Sequence, residues 1–120
     1  NPNSAFVAGF VGSAMHLEGK SSGKTLTLKG GTQRLPSDGS GHNVYVRAED
    51  VQIDEAGSLG GEVETVTFMG THYRVGIKGI MPNTLTSIFA GQSAPKVGAQ
   101  IKVTIKPQTL MLLPEGAPRA

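Results

Sequence analysis

The segment Gly19–Thr25, GKSSGKT, has the residue types of a phosphate-binding loop. In such a loop, backbone N–H groups and a Lys hold the phosphates, and four residues separate the two glycines. Only three residues separate Gly19 from Gly23 here. The alternation of Thr and Leu from Thr25 to Leu28 also predicts a strand where the motif requires a helix. We therefore predict an ordinary hairpin loop.

The other residues that could perform chemistry are dispersed. His16, His42 and His72 lie in separate segments without metal-ligand spacing, and the sequence has no Cys and no Gly-x-Ser-x-Gly turn. Glu62 and Glu64 share a strand face, as paired catalytic carboxylates would, but charges that protect an exposed strand edge explain them more simply. The sequence thus predicts no catalytic residue and no metal site.

Composition favours one small domain built of short strands. The 120 residues include 17 Gly and 7 Pro but only four Phe, two Tyr and no Trp, so a core must consist mainly of aliphatic side chains. The formal net charge is only +2, and Lys and Arg never occur in runs, which argues against a nucleic-acid partner. No apolar stretch approaches the ~20 residues of a membrane span. The sequence begins without Met, and we interpret it as a piece of a longer protein.

The segment Gly61–Gly79 organises the predicted fold. Apolar residues alternate from Tyr73 to Ile77, which is typical of a half-buried strand. The apolar phase slips by one residue between Val63 and Val66, which predicts a β-bulge and a bent strand. Gly70 supplies the positive φ of a tight hairpin turn. A long bent strand that turns back on itself predicts an all-β fold with a small closed or nearly closed barrel.

The two ends of the chain differ from this β pattern. Asn1–Gly12 has the spacing of a short amphipathic helix, with one apolar face formed by Phe6, Val7, Phe10 and Val11. Ala48–Asp50 predicts a single helical turn, and Ile80–Gly91 fits either a short turn or a kinked strand. The final residues 115–120 contain Pro and Gly, and we expect a disordered tail.

Four stretches, in the same order along the chain, resemble one known family. Asn1–Gly12 resembles the segment that closes the ATPase domain of bacterial ABC importers. Val44–Val51, VYVRAEDV, resembles a family motif in which Ala48 replaces the usual Pro. Residues 61–77 and 98–105 are similar to the later strands of the transport-associated OB (TOBE) domain that follows that ATPase domain.

The resemblance implies an OB-like barrel with an additional short sheet over residues 13–114, preceded by a helix over residues 1–12 carried over from the ATPase domain. It implies a non-catalytic regulatory domain in which two copies pair, with Phe6, Val7, Phe10 and Val11 as a candidate dimer or domain interface. ATP and Mg²⁺ would bind in the preceding ATPase domain, so this segment needs no cofactor. The residues that match the family motifs are Arg47, Glu49, Gly61 and Gly70.

The same resemblance places the domain on the cytoplasmic side of the bacterial plasma membrane, attached through its ATPase domain to the permease subunits. The transported solute could be iron(III), a polyamine, sulfate or a sugar, and a regulatory protein could be a further partner. An alternative is an oxyanion-binding module of the molybdate type, with Thr84–Ser87 and Lys106 as the first residues to inspect. A single-strand nucleic-acid binder is disfavoured because aromatic residues are few.

Overall fold

The computed structural model describes residues 14–114, which form eleven short strands. The helix expected over residues 1–12 and the tail expected over residues 115–120 lie outside the described residues. In chain order the strands are β1 (Met15–Leu17), β2 (Lys20–Ser22), β3 (Thr25–Leu28), β4 (Gly31–Arg34), β5 (His42–Val46), β6 (Gln52–Ile53), β7 (Leu59–Phe68), β8 (Tyr73–Lys78), β9 (Leu85–Phe89), β10 (Gln100–Thr104) and β11 (Met111–Pro114).

The strands form two antiparallel sheets. The small sheet has the order β1-β5-β11, which agrees with the additional short sheet expected from the sequence. The large sheet has the order β2-β3-β4-β7-β10-β6, and β8 and β9 extend it from the second half of β7. Single 3-10 turns at Ala48–Asp50 and Pro107–Thr109 precede β6 and β11. The helical turn expected at residues 48–50 is therefore confirmed, and the ambiguous segment after Ile80 contains a strand.

The ten-residue strand β7 connects the parts of the large sheet. Its first half pairs with β10, and its second half pairs with β8. The register shifts between Val63 and Thr65, so the bulge predicted from the apolar phase slip is confirmed. At the far end, Gly70 has a φ of 97° in the turn to β8, as expected, and the Met69 N–H donates to the His72 carbonyl at 2.8 Å.

The large sheet curls into a half-barrel, so the all-β, barrel-like fold expected from the sequence is confirmed in part. Within residues 14–114, no strand pairing joins β6 to β9, although the two strands lie side by side. The fully buried Ser87 hydroxyl, on β9, bridges this seam by donating to the carbonyl of Val51, just before β6. β6 has only two residues, and within residues 14–114 it pairs with β10 alone.

The core is aliphatic, as the composition predicts. The largest side chains that are fully buried are Leu17, Leu26, Leu35, Val44, Val46, Val51, Leu59, Val63, Val75, Ile77, Ile80 and Leu85. Gln33 on β4 is also buried, and its amide donates to the carbonyls of Arg34 and Ile105, each at 2.9 Å. The bond to Ile105 ties the β2-β3-β4 meander to the residue that follows β10.

Gly61 and Gly60 provide a matched pair for testing how closely β7 is packed. A Cβ on Gly61 would lie 2.7 Å from Ile77 Cγ2 and 2.8 Å from the Lys78 carbonyl oxygen. We predict that Gly61→Ala lowers the free energy of unfolding by about 1–3 kcal/mol, because a methyl group cannot enter without moving backbone. Urea unfolding followed by circular dichroism measures this change.

Gly60→Ala is the control, because a Cβ there has only the Gly30 carbonyl oxygen nearby, at 4.0 Å. Alanine at this position should leave stability unchanged or raise it by about 0.5–1 kcal/mol. Equal losses in the two variants would contradict the close packing of β7 at Gly61.

Candidate functional site

The family-motif residues Arg47 and Glu49 belong to one tight turn. Arg47 ends the extended segment after β5, with φ −90° and ψ 150°, and the 3-10 turn follows. The Asp50 N–H donates to the Arg47 carbonyl at 3.0 Å, and the Val51 N–H donates to the Ala48 carbonyl at 3.2 Å. Arg47 is half-buried and Glu49 is exposed. The turn delivers Val51 to the seam between β6 and β9.

This turn forms one wall of a cleft of about 410 Å³. Its lining comprises Ala14, Met15, Ala48, Glu49, Arg74, Thr86 and Ile88. The Thr86 N–H donates to the Met15 sulfur at 3.2 Å, which holds β1 against β9. The cleft therefore brings the carboxylate of Glu49 and the guanidinium of Arg74 to one surface.

The four family-motif residues do not form a single site. Arg47 precedes the 3-10 turn before β6 and Glu49 lies within it, Gly61 packs against Ile77 in the middle of the large sheet, and Gly70 lies at the tip of the β7–β8 hairpin. Each glycine has a local backbone role, which is consistent with a structural and not a chemical function. Phe6, Val7, Phe10 and Val11 lie outside the described residues, so their role as an interface stays a prediction.

A larger cleft of about 620 Å³ lies beside the Gly/Ser/Lys segment. Its polar lining includes His16, Glu18, Lys20, Ser21, His42 and Asn43. The loop before β5 is tied to the β2–β3 hairpin, because the Gly39 N–H donates to the Gly23 carbonyl at 2.8 Å. The Ser40 N–H donates to the Asp38 carboxylate at 2.9 Å, and this bond lowers the pKa of Asp38 below its ordinary value.

The segment that has the composition of a phosphate-binding loop is a β-hairpin, as predicted. β2 and β3 pair antiparallel on either side of Gly23, whose φ is 58°. No helix follows the glycine-rich segment, so the backbone N–H groups are not arranged as a phosphate-binding loop requires.

The carboxylates that sequence reasoning considered are engaged by neighbouring groups. Glu62 accepts from Gln100 at 3.2 Å and lies 3.6 Å from the Lys78 ammonium. Glu64, the bulged residue, accepts from the Thr84 hydroxyl at 2.8 Å. The two carboxylates therefore have separate partners and do not act as a pair. Across residues 14–114, no group of three or more His, Asp or Glu side chains is placed to hold a metal ion.

The residues named for an oxyanion site also make internal contacts. The Thr84 hydroxyl donates to Glu64, and the Ser87 hydroxyl donates to Val51. Lys106 is exposed after β10. The sequence analysis did not predict that Ser87 is buried and hydrogen-bonded at the seam. The only signal for its burial is its position among the apolar residues of β9. Sequence reasoning also missed the exposure of Phe68, which follows from its place at the last pair of the β7–β8 ladder.

Comparison with protein families connects this fold to a known domain. A family model described as a TOBE domain matches residues 44–113. The chain belongs to the TOBE domain family. The match extends from β5 to β11, so it includes the turn at Arg47 and Glu49 and the bent strand β7, whereas β1 to β4 precede it. A search among curated proteins found no significant match.

The TOBE family is non-catalytic, which agrees with a candidate site made of turns and packed glycines. In the portion of the chain that the structure describes, no helix has the length and apolar character to cross a membrane.

Ala48 occupies the position at which the family motif usually has Pro. The structure can accommodate Pro at this position. Residue 48 begins the 3-10 turn, and the extended backbone of Arg47 suits a residue that precedes proline. We predict that Ala48→Pro raises the free energy of unfolding by about 0.4–1 kcal/mol, because it restricts the unfolded chain. Thermal and urea unfolding measure the change.

Asp50→Pro is the control within the same turn. It removes the N–H that donates to the Arg47 carbonyl, so stability should fall by at least about 1 kcal/mol. A loss of stability in Ala48→Pro would show that the turn geometry described above is wrong.

Proposed function

We propose that this TOBE domain is the regulatory and dimerisation module of a bacterial ABC importer ATPase. The observation that supports the proposal is the family match over residues 44–113, which covers strands of both sheets. In this proposal the ATPase domain, with its bound ATP and Mg²⁺, precedes the domain in a longer protein. The regulatory domain then acts at the cytoplasmic face of the plasma membrane through the permease subunits.

The internal hydrogen bonds of the domain favour a scaffold. Side chains that would be needed for acid–base or nucleophilic chemistry have structural partners, such as Glu64 with Thr84 and Ser87 with Val51. The buried Ser87 hydroxyl already donates a hydrogen bond, so it helps to specify the fold and is not free to react. The domain would therefore hold the two ATPase halves together while these open and close, without binding a substrate itself.

Pairing of two copies follows from the same proposal. The apolar residues Phe6, Val7, Phe10 and Val11 require cover in water, which a second copy or the ATPase domain would supply. A symmetric pair is the commonest arrangement for such an apolar surface. The transported solute belongs to other subunits, with iron(III) or a polyamine as our preferred classes.

Oxyanion binding is the alternative function for a TOBE domain. It would require donors that are free to turn towards an anion, yet the hydroxyl protons of Thr84 and Ser87 already bond to Glu64 and Val51. Binding an anion at this position would break the seam of the half-barrel. We therefore prefer the scaffold.

Native mass spectrometry of the chain with molybdate, tungstate, sulfate or ATP separates these two functions. The scaffold proposal predicts that no oxyanion or nucleotide is retained at stoichiometric occupancy. A retained molybdate or sulfate would contradict it and would support the oxyanion module.

The variant pair Lys106→Gln and Lys102→Gln would then locate a retained anion, since both lysines are exposed and occur near the end of β10. Loss of the anion only in Lys106→Gln would place it at the position that sequence reasoning named. The same loss in both variants would indicate general charge attraction.

A further inference from the structure

Two of the four methionines place their sulfur atoms on backbone N–H groups where β1 meets the large sheet. The Thr86 N–H, on β9, donates to the sulfur of Met15, the first residue of β1, at 3.2 Å. The Glu18 N–H, directly after β1, donates to the sulfur of Met81 at 3.5 Å. Since β1 belongs to the small sheet and β9 to the large one, these two thioethers help to attach one sheet to the other.

Met15 takes the place of a neighbouring strand at one edge of β9. β9 pairs with β8 along its other edge, and within residues 14–114 no strand pairs with the edge that Met15 approaches. Backbone N–H groups on an unpaired edge need an acceptor from elsewhere. The Met15 sulfur supplies that acceptor for Thr86. A thioether is a weak acceptor, so a chemical change at the sulfur is enough to remove the contact.

The two sulfur-bearing side chains differ in their access to solvent. Met15 is half-buried and lines the cleft of about 410 Å³ that also contains Glu49 and Arg74. Met81 is buried, with only 4% of its surface exposed. A small oxidant dissolved in water therefore reaches the Met15 sulfur much more readily than the Met81 sulfur.

We propose that Met15 is a site of reversible oxidation to methionine sulfoxide, and that this modification releases β1 from β9. A sulfur lone pair attacks one oxygen of hydrogen peroxide or of an organic hydroperoxide, so the S–O bond forms and the O–O bond breaks. Sulfur loses two electrons to the peroxide, and the proton of the transferred oxygen leaves with the other oxygen as water or an alcohol. Methionine sulfoxide reductases reverse the change, with a dithiol that becomes a disulfide and releases water.

The contact with Thr86 cannot persist once the sulfur carries an oxygen. An N–H···O bond alone spans about 2.7–3.2 Å between nitrogen and oxygen, and the Thr86 nitrogen is already 3.2 Å from the Met15 sulfur. An oxygen therefore fits between them only if the side chain moves. Met15 also packs against the aliphatic core, and a polar sulfoxide weakens that packing. β1 stays paired with β5, so the small sheet loosens where it borders the cleft.

Controlled oxidation tests the proposal. The whole chain is treated with increasing hydrogen peroxide, and peptide mapping by mass spectrometry measures the sulfoxide at each methionine. Met69 is 47% exposed and should be converted first, followed by Met15, with Met81 last. The inference depends on the Met15 contact and not on the ABC importer assignment, so each can fail without the other.

Amide hydrogen exchange followed by NMR measures the structural consequence in the same samples. Oxidation of Met15 should raise the exchange rate of the Thr86 amide about two- to tenfold, because its hydrogen bond is lost. The Val63 N–H donates to the Ala99 carbonyl at 2.9 Å, away from the modified sulfur, and should keep its rate. Treatment with methionine sulfoxide reductases should restore the original rate at Thr86.

Two leucine variants assign the effect to one sulfur. Met15→Leu removes the sulfur and approximately conserves the apolar volume. Its Thr86 amide should exchange faster before any treatment and should not respond further to peroxide. Met69→Leu is the matched control, because it removes the most exposed methionine but leaves the Met15 contact in place. Its Thr86 amide should respond to peroxide as in the original chain.

Four results would overturn the proposal. These are Met15 remaining unmodified when Met81 is already converted, oxidation of Met15 without a change in the exchange of Thr86, equal acceleration of Thr86 and Val63, which would show general unfolding, and an undiminished response to peroxide in Met15→Leu.

Discussion

The hydrogen bond from Ser87 to the Val51 carbonyl joins two strands that no backbone pairing joins within the described residues. Both residues are fully buried, so an unpaired hydroxyl or carbonyl at this seam would cost about 1–3 kcal/mol. The bond holds β9 beside the short β6 and thereby keeps the large sheet curled. It also fixes the turn before Val51, which carries Glu49 to the cleft opposite Arg74. The curl of the sheet and the geometry of the candidate site thus depend on the same contact.

The core is aliphatic, and most of the few described aromatic residues lie elsewhere in the domain. Leu, Val and Ile fill the interior, and Gly61 allows Ile77 and Ile80 to approach β7 closely. An aliphatic core of this kind leaves the few aromatic rings free for other positions, and three of them, Phe68, Tyr73 and Phe89, form a row across the β7–β8–β9 ladder. The buried Ser87 hydroxyl and the Gln33 amide N–H groups donate to backbone carbonyls. This arrangement agrees with the non-catalytic TOBE family to which the chain belongs.

Much of the β7–β8 hairpin could be predicted because its signals are local. The phase slip between Val63 and Val66 predicted the bulge, and Gly70 predicted the turn. The open seam could not be predicted, because it depends on the two-residue length of β6 and on a contact between residues 36 positions apart. Apolar alternation also could not reveal that Phe68 is exposed. An inward-facing residue at the end of a strand ladder fits the same apolar alternation as one in the middle of the ladder. The cleft between Glu49 and Arg74 combines four separate segments, so spacing alone carried no signal for it.

The proposed role as a pairing scaffold is tested most directly by sedimentation velocity of the whole chain over a range of concentrations. The account predicts a dimer whose fraction increases with concentration. It also predicts that Phe10→Ser shifts the chain towards monomer, whereas Phe68→Ser leaves the dimer unchanged. A monomer at every concentration up to the solubility limit would contradict pairing through this chain. A dimer lost in Phe68→Ser but retained in Phe10→Ser would contradict the assignment of the N-terminal apolar residues to the interface.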